Sequence, residues 1–167
     1  EYDQILALQH ISLIEIFNFC SSIMENVGES TACWDAVLRN GRRLWGLATD
    51  DTPNLYPYNH RGNDAFGGFI VVKTKDLTQD GIMQGVADGS FYASAGPEIK
   101  DFYVKDGKAH FLTAPANRLY ICGESQQYAW KVRGPDEPPL TEFVHPLRGD
   151  ELYVRAECYD LNGCKAY

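Results

Sequence analysis

Two strand-like apolar runs on either side of a helix-patterned segment constrain this chain more than any other feature. The first is Leu13-Ile14-Glu15-Ile16-Phe17 and the second runs from Arg43 to Thr49. Between them Glu29-Ser30-Thr31 offers a helix cap, Cys33, Trp34, Val37 and Leu38 share one helical face, and Gly41 stands near the stop. Strand, helix and strand in that order make a crossover, and crossovers join parallel strands. The second strand ends abruptly in Asp50-Asp51 followed by a loop. Folds built from crossovers keep their chemistry at the carboxyl ends of strands, where loops vary over a rigid scaffold. The pattern therefore points to metal or acid–base chemistry at Asp50 and Asp51. Little of the usual ligand set accompanies them: His60 is the one histidine within ten residues downstream, and the sequence holds no HxH, HExxH or paired-cysteine motif.

Downstream, a polar loop over 51–66 gives way at Gly67-Gly68 to an apolar strand, Phe69 to Lys73. Thr78 is placed to cap a helix from Gln79 to about Ala87, which Gly89 ends. From Phe91 the periodicity changes. Short apolar runs, at Phe91 to Ser94, Ile99 to Val104, Lys108 to Thr113, Arg118 to Cys122, Tyr128 to Arg133, Thr141 to Pro146 and Glu151 to Tyr159, are separated by turn signals at the spacing of a β-sandwich. Asp106-Gly107 is the clearest hairpin turn among them. A boundary is expected near 90–97, with an α/β segment over 1–96 and a β-sandwich-like domain over 97–167.

With 167 residues and 44% hydrophobic content the chain can bury a genuine core. A net charge of −8 and a pI near 4.9 argue against a nucleic-acid partner, since Arg42-Arg43 is the one adjacent basic pair. The lack of a long apolar run argues against a membrane span. Five cysteines, odd in number and widely spaced, read as reduced thiols of a cytoplasmic protein. The chain opens at Glu1 without a basic leader, and its first strand, apolar on both faces, calls for neighbours on both sides. A longer polypeptide with strands upstream of Glu1 is the expectation. The flank where those strands would pair is expected to be a sticky edge through which the chain dimerises.

Taken alone, several residues carry two readings. Asp50-Asp51 either serve a site or cap the loop through hydrogen bonds to backbone amides. Glu15 is either a polar interior residue or the partner of an arginine such as Arg43, a buried carboxylate needing a matching charge or hydrogen bonds. Asn18 either touches a substrate or holds a loop. Trp34, Trp45 and Trp130 sit on patterned elements and are expected in the core. His10, His110 and His145 are scattered and read as exposed or satisfied side chains.

Several segments match a known family together. They are Ile14 to Asn18, Trp34-Asp35, Gly46 through Asp51, Asn54, Gly67-Gly68-Phe69, Leu77-Thr78, Gly89 through Ile99 with its FYASAGPEI phrase, Tyr153-Val154-Arg155 and Asn162 through Tyr167. In this order they resemble the carboxyl-terminal half of PHP-family proteins (polymerase and histidinol phosphatase), and the resemblance covers essentially the whole chain. It implies the last strands and helices of a distorted (β/α)7 barrel followed by a β-sandwich-like domain. It also implies a parent enzyme that hydrolyses phosphoesters of small molecules through a cluster of divalent metals, zinc, manganese or iron, whose bridging water attacks.

Most ligands of that cluster would lie upstream of Glu1. Within this chain the resemblance maps one motif, a late Asp-x-His pair. Asp51 matches its aspartate as a metal ligand, but Pro53 occupies the histidine position and has no side-chain donor. Asp50, Asn18, Asn54 and His60 are candidate neighbours of the site, His60 as a substitute ligand. Two functions follow: one wall of a metal-dependent phosphoesterase, inactive in isolation, or a non-catalytic binding or structural module with an aromatic surface at Phe102, Tyr103, Tyr120, Tyr128 and Trp130.

Overall fold

A computed structural model describes residues 2–124 and 129–167, and the chain divides into two compact units, Glu1–Ala95 and Gly96–Tyr167. In the first unit the elements are α1 (Tyr2–Ala7), β1 (Leu13–Asn18), α2 (Phe19–Glu25), α3 (Thr31–Arg39), β2 (Trp45–Thr49), β3 (Phe69–Val72), α4 (Gln79–Ala87) and β4 (Phe91–Ser94). Strands β1 and β2 pair in parallel from Leu13↔Trp45 to Asn18↔Thr49, as a crossover requires. Helix α3 is the crossover. It buries Trp34, Val37 and Leu38, and the Trp34 indole donates to the Leu44 carbonyl at 2.8 Å. With Ile16, Phe17, Leu44 and Ala48 these residues form the core of the unit. Each large apolar side chain so buried contributes about 1.5–3 kcal/mol.

Strands β3 and β4 pair antiparallel, from Phe69↔Ser94 to Val72↔Phe91. Helix α4 lies between them in sequence. Its start is set by Thr78, whose hydroxyl accepts from the Gly81 N–H at 3.1 Å, satisfying a donor the helix cannot.

The second unit holds β5 (Ile99–Lys105), β6 (Lys108–Gly123), β7 (Ala129–Val132), β8 (Leu140–Pro146), β9 (Val154–Asp160) and β10 (Lys165–Ala166). Asp106 and Gly107 join β5 to β6 with φ of 50° and 68°, the left-handed pair that a two-residue hairpin turn demands. Strand β6, 16 residues long, organises the unit. Along Lys108–Leu112 it pairs with β5 and with β8, and along Arg118–Ile121 with β7 and with β9. The register shifts between Leu112 and Ala116 and again between Ala116 and Arg118, around Pro115, which has no N–H to give to a ladder. Ala109, Phe111, Thr113, Leu119 and Ile121 of β6 are buried. On β9 the buried Arg155 and Glu157 pair with each other, and Lys165 of β10 reaches Glu157 at 3.2 Å.

Three expectations are corrected. The chain is not the end of a (β/α)7 barrel. It is 39% strand and 19% helix, and every described pairing after β1–β2 is antiparallel, whereas a barrel of that kind needs parallel strands each followed by a helix. Nor is the second unit a sandwich: β5, β7, β8 and β9 all bond to β6 in one open antiparallel sheet, where a sandwich needs two sheets face to face. Trp130, expected in the core, is 63% exposed. Tyr128 lies outside the described residues. Among the described residues no helix is long and apolar enough to cross a membrane.

Candidate functional site

The parallel register brings the carboxyl ends of β1 and β2 side by side, with Asn18 opposite Thr49. A register shift between Glu15 and Phe17 breaks the alternation of β1, so Ile16 and Phe17 are both buried while Glu15 is exposed. Glu15 is therefore not the buried partner of Arg43, whose guanidinium lies 4.7 Å over the Trp45 ring. It accepts instead from the Thr49 hydroxyl at 2.5 Å and from the Asn18 side-chain amide at 3.2 Å.

Asn18 is the hub of this cluster. It is the last residue of β1 and the N-cap of α2, and its Oδ1 accepts from the Ser21 N–H at 2.9 Å. The amide that remains, Nδ2, points at two carboxylates: Glu15, and Asp51 at 3.0 Å. Of the two readings of Asn18, the structure shows the one in which it holds local structure, its side chain capping α2 and donating to Glu15 and to Asp51 of the following loop. Asp51 itself is exposed and sits in the left-handed region with φ of 51°, tolerable for Asp because its short polar side chain bonds locally.

Asp50 plays a different part. Its Oδ2 accepts from the Phe66 N–H at 2.6 Å and its Oδ1 from the Gly67 and Gly68 N–H groups, both at 2.8 Å. Three backbone donors take up most of the acceptor sites of the carboxylate, which clamps the far end of the loop. The two glycines are needed for that closure. A Cβ at Gly67 would stand 2.2 Å from the Phe19 ring, and one at Gly68 would stand 2.2 Å from the Thr49 carbonyl oxygen.

The remaining sequence candidates lie on the exposed loop. Pro53 and Asn54 are exposed, Asn54 with φ of 55° and its N–H on the Thr52 hydroxyl at 3.1 Å. His60 stacks on Tyr56 with centroids 4.4 Å apart, and its Nδ1 accepts from the Gly62 N–H at 3.0 Å. An imidazole that accepts at Nδ1 presents Nε2 as N–H, a donor and not a metal ligand.

One residue that the sequence did not single out belongs here. Asp64 is fully buried and both of its carboxylate oxygens lack a hydrogen-bond partner. On α2 the Cys20 N–H donates to the Asp50 carbonyl at 3.0 Å. Burial pushes the Cys20 thiol up from its ordinary range, and the charges of Asp64, Asp51 and Glu25 push it further the same way. The neighbourhood is acidic: no ion pair reaches Glu15, Asp50, Asp51 or Asp64 among the described residues. No family model, curated protein or solved structure matches this chain.

A metal cluster of the kind the PHP resemblance implies is only partly suited to these residues. Among the described residues no three His, Cys, Asp or Glu side chains converge closely enough to hold a metal ion. Pro53 brings no donor and His60 is turned into one. What remains is carboxylate oxygen, at Asp51 and at the unpartnered Asp64, a donor chemistry suited to hard divalent ions.

Proposed function

We propose that this chain forms one wall of a PHP-type metal-dependent phosphoesterase acting on a phosphorylated small molecule, the other metal ligands coming from polypeptide upstream of Glu1. By itself it is not a hydrolase. The observation that carries this reading is the Asn18 amide, which turns the carboxylates of Asp51 and Glu15 toward one another at the joined carboxyl ends of two parallel strands. A carboxylate held by a hydrogen-bonded neighbour presents its free oxygen in one direction, which is what a metal ligand needs from the residue behind it. Free thiols at all five cysteines support a cytoplasmic setting.

The reading is tested with p-nitrophenyl phosphate and added Mn²⁺ or Zn²⁺. The purified 167-residue chain is expected to show no turnover. A polypeptide extended upstream of Glu1 is expected to hydrolyse it, and Asp51→Asn in that polypeptide to lower the rate about tenfold or more. Hydrolysis by the short chain, or an Asp51→Asn variant as active as its parent, would overturn the proposal.

A second reading is favoured by Pro53. Proline at the mapped ligand position suits a lineage that has given up catalysis and kept a binding or structural role, with exposed Trp130 and the stacked pair of Tyr103 and His110, 4.8 Å apart, as its contact surface. An extended polypeptide that binds no metal would decide for this reading.

A further inference from the structure

The sheet of the second unit has a core face and a second face of different chemistry. Leu119, Ile121, Ala156 and Cys158 are buried on the first, and the residues that alternate with them form the other. Register places Tyr120 between Trp130 of β7 and Glu157 of β9, and Arg118 between Val132 of β7 and Tyr159 of β9. Directly opposed residues share a face, so rings and a cation stand side by side there. Arg118 is exposed and its guanidinium lies 4.5 Å over the Tyr159 ring, which Tyr120 meets edge-to-face at 6.0 Å. Among the described residues no carboxylate pairs with Arg118, because Glu157, its diagonal neighbour on β9, is taken by Arg155 and Lys165. A cation fixed on a ring and left without a counter-charge, in a chain of net charge −8, calls for an anionic group from outside. Trp130 is 63% exposed and no other ring packs on it among the described residues.

We propose that this face binds an acidic polysaccharide, a chain of sugar rings bearing carboxylates. The C–H face of one sugar lies on the Trp130 indole, whose π-face is negative, and a carboxylate bonds the Arg118 guanidinium. Diagonal neighbours such as these stand about 7–8 Å apart and reach one ligand together. The openness of the face decides between ligand classes. Small molecules sit in concave sites that bury most of their surface, whereas a sugar chain keeps its outer hydroxyls in water and needs no walls. Single-stranded nucleic acid needs a groove of many cations, and here one free guanidinium stands on an acidic chain. Proline-rich peptides dock in grooves between rings, but Tyr120 and Tyr159 close on each other and Arg118 covers Tyr159.

The test uses the whole 167-residue chain with tetragalacturonate as the probe, followed by calorimetry and by amide-shift mapping. Saturable binding is expected, with shifts centred on β7 and on β6 around Arg118 and Tyr120. Trp130→Ala and Arg118→Gln are each expected to weaken it about tenfold or more, while melting as wild type does because both side chains are exposed. Added salt should weaken the wild type and leave Arg118→Gln unmoved, and the neutral galactose tetrasaccharide should bind wild type no better than the acidic one binds Arg118→Gln. If either variant fails to fold, the shift map of the wild type decides. No saturable binding, shifts centred elsewhere, folded variants that bind as tightly as wild type, or tighter binding of oligothymidylate or decaproline would overturn the proposal. Neither outcome bears on the phosphoesterase reading, which none of these residues enters.

Discussion

Asn18 shows how much one side chain decides at the scale of single residues. Its oxygen caps α2 and its nitrogen binds two carboxylates, so Asn18→Ala removes a helix cap and an anchor together. Loss of the cap alone should lower stability by about 0.5–2 kcal/mol, read from the urea midpoint. Cys158 offers a second test. Burial raises its thiol from 9.0 to about 12, so the folded chain holds that proton more tightly than the unfolded one. Its contribution to stability is complete below pH 9.0 and is lost as pH rises toward 12, a fall that Cys158→Ala should flatten when urea midpoints are compared on either side of pH 9.0. At this scale the strand-end carboxylates could be found in the sequence because they follow an apolar run. Their division of labour could not, since it depends on which backbone amides the loop returns to Asp50. Asp64 carried no signal at all: an aspartate in a polar loop looks solvated until the chain folds over it.

At the scale of elements, local chemistry gave reliable marks wherever a cap or a turn stood beside a clean period. Thr78 starts α4 and Asp106-Gly107 turns β5 into β6, each where the residues indicate. Thr78→Ala should cost about 1 kcal/mol by chemical denaturation, because it strips the first turn of α4 of its side-chain acceptor. Helix α2 went unread. Its cap, Asn18, is at the same time the last residue of a strand, so the apolar run of β1 passes into Phe19 and Cys20 without a break in pattern. Strand β6 was read as two strands for a related reason. Ala-Pro at 114–115 has the composition of a turn, yet the strand continues through it because the pairing changes partners there and Pro115 falls at the irregularity.

For the molecule as a whole, the crossover of β1, α3 and β2 was correctly read, while its extension into a barrel and a sandwich was not. Parallel pairing follows from a strand, helix and strand in succession. The number of sheets does not follow from a row of short strands, because alternation reports which face is buried and not what buries it. The phosphoesterase reading proposed above can be tested at Pro53. In a polypeptide extended upstream of Glu1, Pro53→His should raise the amount of bound divalent metal measured by elemental analysis, and an unchanged stoichiometry would remove Pro53 from the ligand position. Strand β6 has a consequence for anyone who would cut or graft this chain. Since neighbours flank it on both sides over most of its length, the second unit tolerates nicking or insertion in the stretch between β8 and β9 far better than within Lys108–Gly123, where a single break would part the sheet into two halves, neither with a spine of its own.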